Sequence, residues 1–430
     1  MLVKEETRKL ARIVRVDDVR PIPKADRLEV AVVEGWECVI AKGSFAKGDI
    51  GLYLEIDAAI ALDNPVLASF DKQYLKVTKD EATGKDWTVV KTVRLRGQLS
   101  QGLLLPASYI PATIPNKSDV GLNVTNMIDV LKYVSPQEAK LYQLESESAP
   151  ADASTTRKLI WKLCAWLKKG IVADGLQAWP AGHVKSDEER VQNQSALYNQ
   201  MVAEDQDVEA SFKLDGESAT FYTDLDTGAI GVAQRNWSLR TDDVPYTRKE
   251  SWRVYAADWV RYIARKLAGG RCAVPQWKRG YIAQSVPLVA FFKRNAIDTK
   301  LASFNRANTF DFMNGAVLAI QGEMVGPDFN GNAERLKHNQ FYVYRAYANG
   351  NRRLLPEQTK LVTEALGLQY IPLEAERMKL PPDMKELLKM ADGKAFGDPN
   401  GIREGLVIKS HVTGQSVKVI SNKWLEKKGK

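Results

Sequence analysis

Residues 10–60 alternate apolar and polar positions with the period of two that half-buried β-strands show. Leu28, Val30 and Val32 form one such run, and residues 36–40 repeat the pattern. A third run at 50–56 begins after the turn at Gly48 and Asp49. Short strands separated by glycine turns are typical of small barrels, so we predict an OB-like β-barrel that binds nucleic acid over residues 1–130.

The composition changes after this barrel, and we assign residues 131–180 to a linker. Residues 145–156 are rich in Ser, Ala and Glu, and they are followed by KLIWKLCAWLKK at 158–169. The apolar residues of that segment fall on one helical face and the lysines on the other, which predicts a basic amphipathic helix ending at Gly170. A membrane surface and a phosphate backbone are alternative partners, but we expect the helix to dock on its own protein.

Residues 181–430 alternate strand-like and helical segments without the regular spacing of a doubly wound sheet. We therefore expect an α+β domain here. Ser186 and Glu189 have the spacing of a capping box, which predicts a helix from Asp187.

A second helix is predicted between 246 and 310. Trp252, Tyr255, Trp259 and Ile263 recur there at helical spacing. Aromatic residues with this period most often face a core, so we expect these side chains to be buried rather than to form a platform for bases.

Composition limits the class of protein. A chain of 430 residues with 44% hydrophobic content can bury two cores, and its net charge of +8 favours a polyanionic partner. Three separated cysteines, Cys38, Cys164 and Cys272, argue against a zinc site and a disulfide framework. The N-terminus lacks an apolar run and no stretch approaches eighteen apolar residues, so we expect an intracellular protein without signal peptide or membrane partner.

The hexapeptide KLDGES at 213–218 is the first segment that indicates chemistry. A lysine two residues before Asp-Gly is how ATP-dependent polynucleotide ligases present the amine that accepts AMP, although the same letters also suit a surface turn. Five further segments follow in order: QRN at 234–236, QGEMVGP at 321–327, FYVY at 341–344, REGLVIK at 403–409 and VKVI at 417–420.

These segments in this order resemble the covalent nucleotidyltransferases, which include DNA ligases, RNA ligases and mRNA capping enzymes. KTVRLRGQLSQG at 91–102 and KSDEERVQN at 185–193 further resemble the ATP-dependent RNA ligases that carry an N-terminal OB module. The chain ends soon after Lys418, so we expect no C-terminal barrel of the kind found in DNA ligases and capping enzymes. The resemblance implies an antiparallel-sheet nucleotidyltransferase domain at 181–430.

Lys213 is the predicted nucleophile, and its chemistry explains why acidic residues accompany it. An ordinary lysine with a pKa of about 10.4 is only about 0.1% neutral near pH 7.5, so its pKa has to fall before the amine can attack. The triphosphate of ATP opposes that fall, which calls for Mg²⁺ or Mn²⁺ between them. We expect Asp215 and Glu404 to hold this metal through its water shell.

The resemblance also implies roles in binding the nucleotide. Arg235 and Glu323 would fix the ribose, and Tyr344 or Phe341 would cover the adenine. Gly216 would let the backbone approach the nucleotide closely.

Lys409 and Lys418 would neutralise the α-phosphate, which completes a predicted catalytic set with Lys213 and Glu404. Two departures from relatives accompany these roles. Where relatives often have a second lysine in the last motif this chain has Val419 and Ile420, so the role is unfilled or passes to Lys409 or Lys423. Relatives commonly carry Glu before the nucleophile, whereas this chain has Phe212.

The expected activity is ATP-dependent joining of RNA 3′-OH and 5′-phosphate ends through lysyl-AMP and an adenylylated 5′ end. Three alternatives stay open at this point: a DNA ligase, a GTP-using capping-type enzyme, and a non-catalytic nucleic-acid-binding protein. A nick, a broken transfer RNA and an RNA–DNA junction are all compatible substrates. We expect no obligate protein partner.

Overall fold

The computed structural model divides the chain into two compact units, residues 1–162 with 425–430 and residues 163–424. The structure describes residues 2–3, 8–23, 25–68, 75, 77–79, 86–114, 118–133, 155–172, 175–185, 188–267, 274–307, 309–330 and 332–428.

Short antiparallel strands form the N-terminal unit, together with 3₁₀ helices at Pro65–Leu67 and Ala107–Tyr109. The strands pair in the orders β1-β13-β7-β9-β8, β12-β6-β2, β3-β4-β5 and β10-β11. Within the described residues of this unit they are β1 (Leu2–Val3), β2 (Ala11–Arg15), β3 (Asp18–Pro21), β4 (Leu28–Val33), β5 (Trp36–Ala41), β6 (Ile50–Leu54), β7 (Ala58–Ala61), β8 (Val77–Lys79), β9 (Asp86–Val89), β10 (Thr92–Leu95), β11 (Gln98–Gln101), β12 (Leu103–Pro106) and β13 (Leu131–Tyr133).

The three strands predicted from alternation are confirmed as β4, β5 and β6. Glu34 and Gly35 connect β4 to β5 with φ of 49° and 81°, the left-handed pair that a two-residue hairpin turn requires. Ile13, Leu52 and Leu54 are fully buried in the core of the unit. Alternation therefore located the strands, but only β5 buries a single face, because consecutive residues are buried in β4 and β6.

The C-terminal unit contains the remaining strands. They are β14 (Leu176–Gln177), β15 (Asp207–Lys213), β16 (Glu217–Thr223), β17 (Ile230–Gln234), β18 (Ser238–Leu239), β19 (Val244–Pro245), β20 (Gly280–Tyr281), β21 (Leu318–Val325), β22 (Gln340–Ala348), β23 (Arg352–Arg353), β24 (Gln369–Tyr370), β25 (Leu373–Lys379), β26 (Gly405–Ser410) and β27 (Ser416–Ile420).

The α-helices within the described residues are α1 (Thr155–Lys168), α2 (Ser195–Ala203), α3 (Arg248–Leu267), α4 (Pro287–Arg294), α5 (Ile297–Ala307), α6 (Pro356–Ala365), α7 (Met384–Met390) and α8 (Asn422–Lys428). Further 3₁₀ helices lie at Val191–Gln194, Ala283–Ser285 and Asp311–Met313.

Two large sheets and the two-stranded ribbon β19-β20 organise the described part of this unit, which confirms the predicted α+β class. One has the order β25-β15-β26-β27, and the other has the order β14-β18-β17-β16-β21-β22-β23. The second sheet is not wholly antiparallel as predicted, because β24 pairs with β22 in parallel. Helix α6 lies between those strands in the chain and provides the crossover that a parallel pair needs.

The predicted amphipathic helix is confirmed as α1, but most of its predicted apolar face is not buried. Cys164 is buried and its thiol donates to the carbonyl of Ala257 in α3 at 3.6 Å. Leu159, Leu163 and Trp166 are exposed. The cysteine therefore marks the docked side better than the larger side chains do.

Two other helix predictions need correction. The predicted start at Asp187 lies outside the described residues, and 188–190 are not helical, so helical structure in this segment begins at Val191. Helix α3 exists as expected, but its aromatic residues are not in the core: Trp252 is exposed, whereas the buried residues of α3 are Ser251, Val254 and Ala257. Small side chains, rather than the aromatic ones, pack α3 onto its neighbours.

Candidate active site

Lys213 is the last residue of β15, at the point where the chain leaves one sheet for the other. Strand β15 is central in its sheet, between β25 and β26, and Val208 to Ser211 are buried in the strand. Only residues 214–216 separate Lys213 from β16 in the second sheet. The lysine is thus fixed by a fully paired strand while its side chain stays 27% exposed.

Cross-strand register places three rows of side chains on one face of the first sheet, because directly opposed residues point to the same side. Across β15, β26 and β27 the rows are Lys213 with Gly405 and Ile420, Ser211 with Val407 and Lys418, and Glu209 with Lys409 and Ser416.

Acidic residues converge on the Lys213 ammonium. Glu404, directly before β26, places Oε2 at 2.8 Å from Lys213 Nζ. Glu323 of β21 accepts a hydrogen bond from the backbone N–H of Gly216 at 3.2 Å, and its charge acts on Lys213. Asp215 accepts from Asn330 Nδ2 at 2.6 Å and also acts on the lysine. The structure therefore brings together Lys213, Asp215, Glu323 and Glu404 as the motif order predicted.

These carboxylates determine the charge of the lysine in the protein by itself. Burial lowers the pKa of Lys213, but Glu404, Glu323 and Asp215 together outweigh burial and hold the pKa above its ordinary value. Burial raises the pKa of Glu323 to about 8, with Lys213 opposing and Glu404 adding to that rise. Without ligands the protein thus keeps the Lys213 amine protonated among acidic residues, whereas attack requires a neutral amine.

Two glycines let these elements approach. A Cβ at Gly216 would lie 2.3 Å from the carbonyl oxygen of Met324, and one at Gly405 would lie 2.1 Å from that of Val419. Gly216 was predicted to admit a nucleotide, but the contact that excludes a side chain is with the protein's own strand. Its role in the structure is to bring the loop after Lys213 against β21.

Lys409 does not lie at an open position, contrary to the predicted role at the α-phosphate. Its Nζ donates to Glu209 Oε1 at 2.8 Å and to the carbonyl of Tyr344 at 2.6 Å, and its side chain is only 5% exposed. Burial and the charge of Arg345 outweigh the attraction of Glu209, so the pKa of Lys409 is lowered. Lys409 and Glu209, which oppose each other in the third row, therefore form a buried structural ion pair.

The two aromatic candidates on β22 have different environments. Phe341 is 3% exposed and its ring lies 4.6 Å from that of Phe221, which places it in the core rather than at a nucleotide. Tyr344 is the extra residue of a β-bulge, since Gln321 opposes Arg345 and Gly322 opposes Val343. Its hydroxyl lies 3.0 Å from Ser218 Oγ, and burial raises its pKa. Phe341 therefore does not fit the predicted adenine role, and Tyr344 stays the candidate for it.

Lys418 and Arg235 keep their predicted roles as predictions. Lys418 is half-buried one row from Lys213 on the same sheet face, and its backbone N–H donates to the carbonyl of Glu189 at 2.9 Å. Arg235 is exposed and directly follows β17. Ile420, which stands where relatives have a second lysine, is buried in the row of Lys213 and brings no charge.

Sequence reasoning missed Asn330, which binds Asp215 and also donates to the carbonyl of Gly216 at 3.3 Å. No pattern around Asn330 signals this contact, because the chain brings it from a distant loop. It also missed the packing of Phe212, whose ring centroid lies 5.7 Å from that of Phe396 and 5.4 Å from the Arg403 guanidinium carbon. Phe212 is thus a packing residue beside the nucleophile.

Within the described part of the chain, no group of three or more His, Cys, Asp or Glu side chains is arranged as a complete metal cage. Asp215 and Glu404, with Glu323 beside them, are oxygen donors of the type that Mg²⁺ and Mn²⁺ prefer. A cation held by few protein ligands and by water fits this donor set. None of the helices in the described residues has the length and apolar character for crossing a bilayer.

Comparison with known proteins identifies the class. An OB-fold domain model matches residues 10–107, and an RNA ligase model matches residues 206–424. The structure of an aspartate-to-alanine mutant of Naegleria gruberi RNA ligase is 30% identical over 99% of this chain and 100% of that chain, with a TM-score of 0.67. The same ligase with PPi shows 30% identity over 99% and 100% of the two chains and a TM-score of 0.66.

A lysine-to-alanine mutant of that ligase with ATP and Mn matches at 30% identity over 97% of this chain and 98% of that chain, with a TM-score of 0.66. A search among curated proteins finds no match.

An OB module followed by a two-sheet domain with a strand-end lysine among carboxylates defines a nucleic-acid ligase. The chain belongs to the RNA ligase family, and its substrate is nucleic acid. The predicted resemblance is confirmed.

Proposed function

We propose that this RNA ligase is ATP-dependent and that Lys213 carries the adenylyl group. Its Nζ attacks the α-phosphorus of ATP and pyrophosphate leaves, which forms a phosphoramidate. AMP then passes to an RNA 5′-phosphate, and a 3′-hydroxyl displaces AMP to form the phosphodiester. The observation that supports this best is the Lys213 ammonium 2.8 Å from Glu404 at a partly exposed strand end. The Naegleria gruberi ligase, solved with ATP and Mn and with AMP and Mn, supports the cofactors.

A divalent cation bound near Asp215 and Glu404 would supply positive charge that offsets both the triphosphate and the carboxylates. Glu404 Oε2 is the nearest acceptor for the proton that Lys213 loses before attack. The same carboxylate that keeps the amine protonated in the protein alone is therefore placed to remove its proton. This reconciles the raised pKa of Lys213 with its role as a nucleophile.

The other side chains position the nucleotide in this proposal. Glu323, with a pKa of about 8, accepts from or donates to a ribose hydroxyl, and Arg235 donates to the same sugar. Tyr344 covers the adenine, and Lys418 neutralises the α-phosphate. Lys409 is left out of this set, because its charge is bound to Glu209.

The substrate ends are proposed to be an RNA 3′-hydroxyl and 5′-phosphate. The predicted boundaries at 130 and 180, an intracellular location and the absence of an obligate protein partner stay predictions.

The test is incubation with α-labelled nucleotides and Mg²⁺, followed by joining of nicked RNA. We expect label from ATP and not from GTP, loss of all label in Lys213→Ala, and normal label in Lys379→Ala, whose exposed lysine lies 3.0 Å from Asp205 and 3.1 Å from Asp207. Label that survives Lys213→Ala would end the proposal. Label from GTP alone would instead indicate a capping-type enzyme.

A further inference from the structure

Helix α3 carries a row of aromatic side chains that the proposed chemistry does not use. Trp252, Tyr255, Trp259 and Tyr262 follow one another at steps of three and four residues, so they share one helix face. Trp277, beyond the end of α3, packs on two of them, with ring centroids 5.1 Å from Trp252 and 5.3 Å from Tyr255. We call these five residues the aromatic ladder.

Two tryptophans of the ladder are exposed, and its three other rings, those of Tyr255, Trp259 and Tyr262, are half-buried. Trp252 is 57% exposed and Trp277 is 42% exposed. Their rings meet at 85°, and in such an edge-to-face pair one ring keeps both faces clear of its partner. Exposed aromatic surface of this kind marks a binding site more often than it marks a core.

Positive charge surrounds the ladder. Residues 248–267 contain six Arg or Lys residues and two acidic residues. Both acids are engaged locally: Glu250 accepts from the N–H of Thr247 at 2.7 Å, and Asp258 pairs with Lys168 at 3.1 Å and Lys278 at 3.9 Å.

Arg248 and Lys266 continue the aromatic row at its two ends, four residues before Trp252 and four after Tyr262. Lys266 Nζ lies 5.9 Å from the centroid of the Tyr262 ring. An apolar protein partner would find these cations costly to desolvate, whereas a polyanion with flat bases matches both features.

A two-stranded ribbon flanks the ladder in the chain. Strands β19 and β20 pair on either side of it in the chain, with Val244 opposite Tyr281 and Pro245 opposite Gly280. Tyr281 is buried in the core of the C-terminal unit, and its hydroxyl donates to the carbonyl of Arg240 at 2.9 Å. The segments that lead into and out of the ladder are therefore tied to the core of this unit.

We propose that the aromatic ladder binds a single-stranded segment of the RNA substrate. Bases stack on Trp252 and Trp277, and phosphates pair with the cations at the ends of the row, including Arg248 and Lys266. Stacking tolerates any base, so this contact adds affinity without selecting a sequence. The inference rests on the proposed function only in taking RNA as the substrate.

The experiment measures binding of a fluorescein-labelled single-stranded RNA of about 20 nucleotides to the full chain by anisotropy. Trp252→Ala and Trp277→Ala are each expected to weaken binding by roughly 5- to 150-fold, the range for loss of one stacked base. Trp252→Phe keeps a ring and should stay within about threefold of the parent. Leu361→Ala, an equally exposed apolar residue on α6, should leave binding unchanged.

Arg248→Glu with Lys266→Glu provides a second test that does not depend on the packing of the rings. Both side chains are exposed on the helix surface. The double variant should weaken binding and reduce the slope of log affinity against log salt by roughly 0.7 for each phosphate that is no longer neutralised. Unchanged affinity and slope in folded protein would overturn the proposal.

Two controls separate this inference from the proposed function. Self-labelling with ATP should be unchanged in all of these variants, and a parent chain that failed to label would count against the lysyl-AMP proposal and not against RNA binding. Light scattering would show whether the tryptophan variants change the oligomeric state instead. A change of that kind with unaltered RNA affinity would mark the ladder as a protein interface and overturn the inference.

Discussion

Two lysine–glutamate pairs on one sheet face have the same 2.8 Å separation but opposite effects on the lysine. The pKa of Lys213 is raised, because Glu323 and Asp215 add to the attraction of Glu404 and overcome burial. The pKa of Lys409 is lowered, because burial and Arg345 overcome the attraction of Glu209 and Glu188. The distance within an ion pair therefore does not determine the protonation of its lysine.

The same contrast separates a reactive residue from a structural one. Lys213 is accessible and surrounded by acids that a cation can engage, so its charge can be changed by ligands. Lys409 is sealed between Glu209 and the carbonyl of Tyr344, so it fixes the bulge that carries Tyr344. The first pair can thus be rearranged during a reaction, whereas the second serves to hold the site in shape.

The largest expected effect comes from breaking the structural pair. Lys409→Met leaves Glu209 buried without its cation, which is expected to cost about 3–5 kcal/mol of stability. For a unit of this size that lowers Tm by roughly 6–20 °C in calorimetry. Lys379→Met, which removes an exposed lysine paired with Asp205 and Asp207, should leave Tm nearly unchanged. Equal effects of the two variants would contradict the contrast.

Glu404→Gln tests the reactive pair. Burial then acts on Lys213 with fewer opposing charges, so its pKa falls, while adenylylation is lost because the proton acceptor is gone. The half-maximal pH for trinitrophenylation of Lys213, mapped by mass spectrometry, should move downward. In the parent, the stabilisation from this raised pKa is present below pH 10.5 and lost as pH rises through the folded value. Glu374→Gln, which leaves Arg403 without its carboxylate, should not shift this profile.

Substitution of Glu323 is expected to have a smaller effect, which is on the pH dependence of stability. Its folded pKa of about 8 lies above the ordinary 4.5, so unfolding releases a proton between these values and stability falls as pH rises across that window. Glu323→Gln removes this dependence. Urea unfolding at several pH values should show a shallower decline for the variant, with Glu376→Gln behaving like the parent. If the free energy of unfolding of Glu323→Gln declined with pH as steeply as that of the parent, Glu323 would not be the source of this pH dependence.

Tyr344→Phe is expected to have the smallest effect. It removes the contact with Ser218, worth about 0.5–1.5 kcal/mol, but keeps the ring that covers adenine. The KM for ATP in self-labelling should change only a few-fold, whereas Tyr344→Ala should raise it about tenfold or more. Tyr222→Phe, which removes a similar hydrogen bond with Ser238, should leave that KM unchanged. A large KM change in Tyr344→Phe would show that the hydroxyl, not the ring, matters.

The sequence was sufficient where a motif fixes both a residue and its neighbours in space. Asp215 follows Lys213 by two residues, and Gly405 pairs with Lys213 across the sheet, so Glu404 is brought to the amine. Strand alternation likewise located β4, β5 and β6. In these regions local pattern and tertiary structure agree.

The sequence was insufficient where the environment of a residue depends on a distant partner or on an irregular strand. Lys409 has the expected sheet face, but Glu209 lies 200 residues earlier in the chain and neutralises it. Alternation along β22 cannot reveal the bulge that gives Tyr344 its position and leaves Phe341 in the core. The period of α3 predicted a helix correctly, but which face is buried depends on what packs against it.

Location of the AMP adduct tests the account most directly. The full chain is incubated with ATP and Mg²⁺, digested, and sequenced by tandem mass spectrometry under conditions that preserve phosphoramidates. We predict that the adenylyl mass resides on the Lys213 side chain and that Glu404→Gln abolishes it. An adduct on Lys409 or Lys418, or a chain that joins RNA without any lysyl adduct, would contradict the account.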